Sequence, residues 1–142
     1  MFVDASAIIA IITLEPEAEA LATVLAAALE GSGQPITSSI AVFEATLGLC
    51  RKKRAAIEAA QQQVHEFLRE AGIRLVAIGP DAADHALDAF KRYGKGQGHP
   101  AQLNMGDCFA YAAAKANHVP LLFKGADFAR TDIEPADQGG TS

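Results

Sequence analysis

The chain opens Met1-Phe2-Val3-Asp4-Ala5-Ser6-Ala7-Ile8-Ile9-Ala10: a short apolar run, an acid, then a segment of small and apolar residues. An apolar strand stopped by a carboxylate and followed at once by a helix starts a β-α unit. Ser6 is a candidate cap for the segment that follows, and Pro16 suits the first turn of a helix running to about Leu29. The pattern then returns. Ile36-Thr37 reads as a second strand, and Ser38 or Ser39 caps a helix to about Arg51. Residues 55–71 read as a helix with Ile57, Val64, Phe67 and Leu68 on one face, stopped by Gly72. Ile73 to Ile78 is a third strand, broken by Gly79-Pro80. Asp81 begins a helix in which Ala83, Leu87 and Phe90 are spaced for burial. A loop from Tyr93 to Pro100 carries three glycines, and Asn104 caps a helix from Met105 to Asn117. Leu121 to Phe123 is a fourth strand, and Asp132 to Glu134 a candidate fifth.

Strands that alternate with helices imply an α/β fold of three layers, with a central, mainly parallel sheet flanked by helices. No repeat or linker divides the chain, so one domain over 1–134 is expected, followed by a flexible tail over 135–142. In such sheets ligands bind outside the carboxyl ends of the strands.

Composition narrows the function. The 142 residues are 50% hydrophobic and 20% charged, with 30 alanines and no Trp. That suits one globular domain whose helices approach closely. Two cysteines exclude a disulfide scaffold and fall short of a four-ligand zinc site, which fits a reducing cytoplasm. The longest apolar run, Ala5 to Leu14, is about half the ~20 residues needed to span a bilayer, and no signal peptide is expected. A net charge of −5 argues against holding nucleic acid by general electrostatics. It leaves room for a nuclease whose carboxylates are neutralised by metal.

Four acids carry the chemistry. Asp4 ends the first strand, where a helix N-cap is the competing reading. Glu44 falls within the apolar stripe of Ile40, Phe43, Leu47 and Cys50. A buried carboxylate there needs a partner or a metal, unless it reaches water at the stripe's edge. Asp107 sits in the first turn of its helix, where an anion is also favoured by the dipole. Asp127 follows the fourth strand, and Asp132, five residues on, is the alternative to it. Together Asp4, Glu44, Asp107 and Asp127 fall on one rim of the expected sheet. Carboxylates at close range repel unless cations sit between them. An all-oxygen site suits Mg²⁺ or Mn²⁺ rather than zinc.

These residues lie in segments that resemble the motifs of PIN-domain ribonucleases, and among them the VapC toxins. Phe2-Val3-Asp4-Ala5-Ser6-Ala7 is similar to the first acidic motif and Ser39 to Ala45, with Glu44, to the second. Leu103 to Ala112 resembles the third, and Leu121 to Phe128 followed by Thr131-Asp132-Ile133 the last. Ala126 stands where many relatives carry Asn or Asp. The resemblance implies a PIN fold in which Asp4, Glu44 and Asp107 hold the metal, Asp127 assists, and Ser6 supports the site. It implies an Mg²⁺- or Mn²⁺-dependent endoribonuclease toxin of a type II toxin–antitoxin system, hydrolysing RNA with a metal-activated water. It further implies a homodimer and a cognate VapB-type antitoxin.

Two other readings stand beside it. One is a non-catalytic PIN-like module whose acidic groove holds a partner. The other is a phosphatase-like enzyme with Asp4 as nucleophile, although Ser6 stands where such enzymes commonly place a second Asp. The dense basic run Arg51-Lys52-Lys53-Arg54 reads either as an RNA phosphate contact or as a solvated helix end. Lys91, Arg92 and Lys95 offer a weaker second contact. The four histidines show no ligand spacing, and His99 in the glycine-rich loop is the one worth testing.

Overall fold

A computed structural model describes residues 1–31 and 33–136. Among them are β1 (Phe2–Val3), α1 (Ala5–Ile12), α2 (Ala18–Glu30), β2 (Ile36–Thr37), α3 (Ser39–Lys53) and α4 (Ile57–Glu70). They are followed by β3 (Arg74–Leu75), α5 (Ala82–Tyr93), α6 (Met105–Ala116) and β4 (Leu121–Leu122), then a short 3₁₀ helix over Phe128–Arg130. The four strands form one parallel sheet in the order β3-β2-β1-β4.

Strand alternation distributes the core to both faces of the sheet. Phe2 and Leu121 point to one side, where they pack with α5 and α6 residues such as Ala89 and Tyr111. Val3 and Leu122 point to the other, into a cluster with Ile8, Leu25, Leu49 and Val64. Helices therefore cover both faces, as the three-layer reading expects. Inside the sheet, the Thr37 hydroxyl donates to the Val3 carbonyl at 2.7 Å, satisfying a fully buried polar group.

Several local expectations are corrected. The helix cap after β1 is Asp4, not Ser6: the Asp4 carboxylate accepts the Ser6 backbone N–H at 3.0 Å. Pro16 lies outside α2, one residue before its N-cap Glu17, in the turn that separates α1 from α2. The third strand shrinks from six residues to Arg74–Leu75. In place of a fifth strand over 132–134 there is a parallel bridge between Pro135 and Leu121, with the Leu121 N–H donating to the Glu134 carbonyl at 2.9 Å. The rest of the expected tail, 137–142, lies outside the described residues. In α5 the buried face is Ala86, Ala89 and Tyr93, and Leu87 is left 65% exposed. In α3 the buried face is Ala41, Ala45, Gly48 and Leu49, leaving Phe43 66% exposed. Both helices turn small residues inward because their backbones lie close to their neighbours. A Cβ on Gly48 would collide with the Ile9 side chain of α1.

Leu49 is fully buried where α3 meets α1 and the sheet. Leu49→Ala is expected to destabilise the fold by about 2–5 kcal/mol, read as a lower urea midpoint at unchanged slope.

Candidate active site

Three elements bring three carboxylates to one groove of about 650 Å³. Asp4 leaves β1 and is 3% exposed. Its carboxylate accepts from the Ser6 backbone N–H at 3.0 Å and from the Ser6 hydroxyl at 2.6 Å. Burial pushes its pKa above the ordinary value, and the Ser6 bonds pull against that. The Ser6 oxygen in turn accepts the Lys124 N–H at 3.0 Å, which ties Asp4 to the segment after β4.

Glu44 is half-buried in the second turn of α3. Burial, then the charges of Asp4 and Asp107, push its pKa up to about 7. Its carboxylate lies against the backbone of α6 at Gly106. A Cβ there would occupy the place of the Glu44 oxygens, so the close approach requires glycine at this position.

Asp107 is the third residue of α6 and half of a reciprocal cap. The Asn104 side-chain oxygen accepts the Asp107 N–H at 2.8 Å, and Asp107 Oδ2 accepts the Asn104 N–H at 3.0 Å. Burial pushes its pKa up to about 6, the Asn104 bond opposes, and the charges of Asp4 and Asp127 add to the rise. Asp127 thus lies near enough to act on Asp107, although it does not line the groove. It precedes the 3₁₀ helix and makes no side-chain capping bond there.

Asp132 is elsewhere. It accepts hydrogen bonds from Tyr111, Lys115 and Arg92, all well along α6 or at the end of α5. Those partners hold its pKa down to about 2 against a desolvation that raises it. Of the two candidates for a fourth acid, Asp127 lies near Asp107, and Asp132 is held in a separate network.

The basic run is divided by helix periodicity, which turns neighbours about 100° apart. Arg51 lines the groove. Lys52 pairs with Glu15 at 2.8 Å, and Lys53 donates to Gln63 at 3.3 Å. Arg54 closes α3 in the left-handed conformation, at φ 51°. The second basic group is drawn into the Asp132 network through Arg92. His99 accepts the Ala101 N–H at 3.0 Å and packs edge-on against Tyr93, so it shapes the loop.

Phe43 and Met105, which line the groove, and Gly106, which backs the Glu44 carboxylate, escape the sequence reading as functional. For Gly106 the signal was present, as a glycine inside a helical turn beside an acid.

The donors are all oxygen, and burial raises the cost of ionising them without a partner. Both properties fit a hard divalent cation. Among the described residues no three acid, imidazole or thiol groups close around one point; the acids line an open groove. For an aspartyl nucleophile, Asp4 is poorly placed: it is buried and bound twice by Ser6.

A parallel sheet with acids gathered at its carboxyl rim defines the class, and comparison with known proteins agrees. The family model described as PIN domain matches residues 1–134. A VapC ribonuclease of Rhizobium meliloti is 41% identical over 142 aligned positions, covering 93% of this chain and 98% of that protein. Ribonuclease VapC42 of Mycobacterium tuberculosis is 41% identical over 136 positions, covering 96% and 98%. The crystal structure of M. tuberculosis VapC20, described as a sarcin-ricin loop cleaving toxin, superposes with a TM-score of 0.68 at 16% identity, covering 93% of this chain and 95% of that one. That likeness speaks to the fold. The chain belongs to the PIN-domain family, among the VapC ribonucleases. No helix among the described residues is long and apolar enough to cross a membrane.

Glu44 has an unfolded-state pKa near 4.5 and a folded one of about 7, so its folded state favours the protonated acid. The stability this confers is complete below pH 4.5 and is lost as pH rises through 7. In EDTA, the melting temperature contributed by this group should fall between pH 5 and 8, and Glu44→Gln should flatten the fall. Gly106→Ala is expected to displace the Glu44 carboxylate and to weaken divalent-ion binding at least about tenfold by calorimetry, while the protein stays folded by circular dichroism.

Proposed function

We propose that this chain, acting as a single PIN unit over 1–134, is an Mg²⁺- or Mn²⁺-dependent endoribonuclease toxin restrained by a VapB-type antitoxin. The observation that supports this most is the convergence of Asp4, Glu44 and Asp107 in one groove, each with a pKa raised by burial, with Asp4 and Asp107 adding to the rise at Glu44 and Asp4 to that at Asp107. These three acids would hold the ion, with Asp127 assisting from beside Asp107. Such an ion supplies Lewis-acid polarisation of a phosphodiester and a hydroxide nucleophile at neutral pH.

The chain's own residues set the conditions. Ser6 fixes Asp4 by two hydrogen bonds, and Asn104 fixes Asp107 by two more. Glu44, pushed to about 7, carries its proton part of the time near neutrality and must release it when a cation binds. Ion affinity should therefore rise with pH up to about 7. RNA as substrate places the action in the cytoplasm.

We also infer that the protein forms a homodimer. Between α5 and α6 a groove of about 410 Å³ is lined by Ala83, Ala86, Leu87, Phe90, Met105, Cys108 and Phe109. Leu87 and Met105 at its edges are 65% and 69% exposed. An open apolar groove of this kind supports self-association.

Antitoxin-free protein should cut an RNA pool into discrete fragments with Mg²⁺ or Mn²⁺ and not with EDTA. Asp107→Asn should lower that rate at least about a hundredfold; an equal rate would overturn the assignment. Tight partner binding with no cleavage at any Mn²⁺ concentration would support the non-catalytic alternative. Leu87→Asp should convert dimer to monomer by light scattering.

A further inference from the structure

The large apolar residues of α3 recur at helical spacing, yet they do not enter the core. Ile40, Phe43 and Leu47 line the acidic groove, on the same helix face as Glu44. Phe43 stands 66% exposed within a residue of that acid. An exposed aromatic ring held against a catalytic groove is unfavourable in water and calls for a ligand that covers it. Two turns further on, Arg51 lines the same groove, while Lys52 and Lys53 are engaged elsewhere. Phe43 and Arg51 are about 12 Å apart along the helix, with Glu44 and Leu47 between them.

We propose that Phe43 is a nucleobase-stacking platform and Arg51 a phosphate contact, which together form a subsite for unpaired RNA beside the acids. This rests on the ribonuclease reading of the groove. The charge pattern selects the occupant. A polyanion entering a groove that holds three carboxylates needs a cation at its end, and Arg51 is placed to supply it. The ring selects the strand state. A phenyl face can stack on a base only where that base has left its helix, because an A-form duplex hides its base faces. The subsite therefore favours loops and single strands over duplex, and by stacking it tolerates any base.

The chain has no Trp, so Phe43→Trp places one indole in the subsite. In an Asp107→Asn background with Mg²⁺, its emission should be quenched by short random-sequence single-stranded oligoribonucleotides and not by an RNA duplex. Adding Arg51→Ala should weaken that quenching severalfold. In the otherwise unaltered protein, Phe43→Ala should lower kcat/KM for single-stranded RNA about five- to a hundredfold, chiefly through KM, and Phe43→Trp, which keeps a stacking face, should lose less than Phe43→Ala. Absent quenching, equal quenching by duplex, or full activity of Phe43→Ala would overturn the proposal. So would emission that shifts with protein concentration alone, since a second copy would then cover Phe43. Quenching by single strands in a protein whose parent cuts no RNA with any metal would leave the subsite standing and sink the ribonuclease reading.

Discussion

Glu44 meets Asp4 and Asp107 only because α6 presents no side chain at Gly106. That contact between a carboxylate and a bare stretch of backbone governs the site. It sets how closely α3 approaches α6, and the two helices sit on different β-α units that the sheet alone would hold further from each other. The glycine weakens its helix a little, by roughly 0.5–1 kcal/mol relative to alanine. The Asn104–Asp107 reciprocal cap at the same helix start offsets that loss. One turn of α6 thus contributes a carboxylate, the bonds that fix it, and the gap that admits its neighbour.

The charges around the groove are divided by their partners. Asp4, Glu44 and Asp107 are held where burial disfavours ionisation, and their pKa values rise. Outside the groove, Glu15 and Asp132 each engage two cations and are held near 2. Glu15 joins the end of α1 to Lys52 of α3 and to Lys124 after β4. Lys52, Lys124, Arg92 and Lys115 are therefore spent on carboxylates outside the groove, which leaves Arg51 beside the acids. Among the described residues the acids within make no ion pair, so a divalent ion would find its ligands uncommitted.

The β-α alternation and the positions of the acids were legible, though the strand order was not, because each acid follows a recognisable local signal: a short apolar run for Asp4, a serine cap before Glu44, an asparagine cap before Asp107. The inward faces of α3 and α5 were not. Size suggested that Phe43 and Leu87 pack inside, yet close helix approach admits alanine and glycine there and turns the large residues outward. Asp132 was equally opaque, since its partners Arg92, Tyr111 and Lys115 come from distant segments. The basic run looked like one feature and was four, because consecutive helical residues face different neighbours.

The position of β1 between β2 and β4 also orders the assembly of the site in time. The Asp4 N–H donates to the Leu122 carbonyl, and the Ser6 hydroxyl that holds Asp4 accepts from Lys124. A nascent chain emerging from the ribosome presents Asp4 well before either partner, the serine contact alone spanning 118 residues. Until residue 124 is available, β1 lacks one edge and Asp4 lacks its anchored serine. The groove is thus completed only once residue 124 has been made, and a product ending before it would carry Asp4, Glu44 and Asp107 without the framework that aligns them.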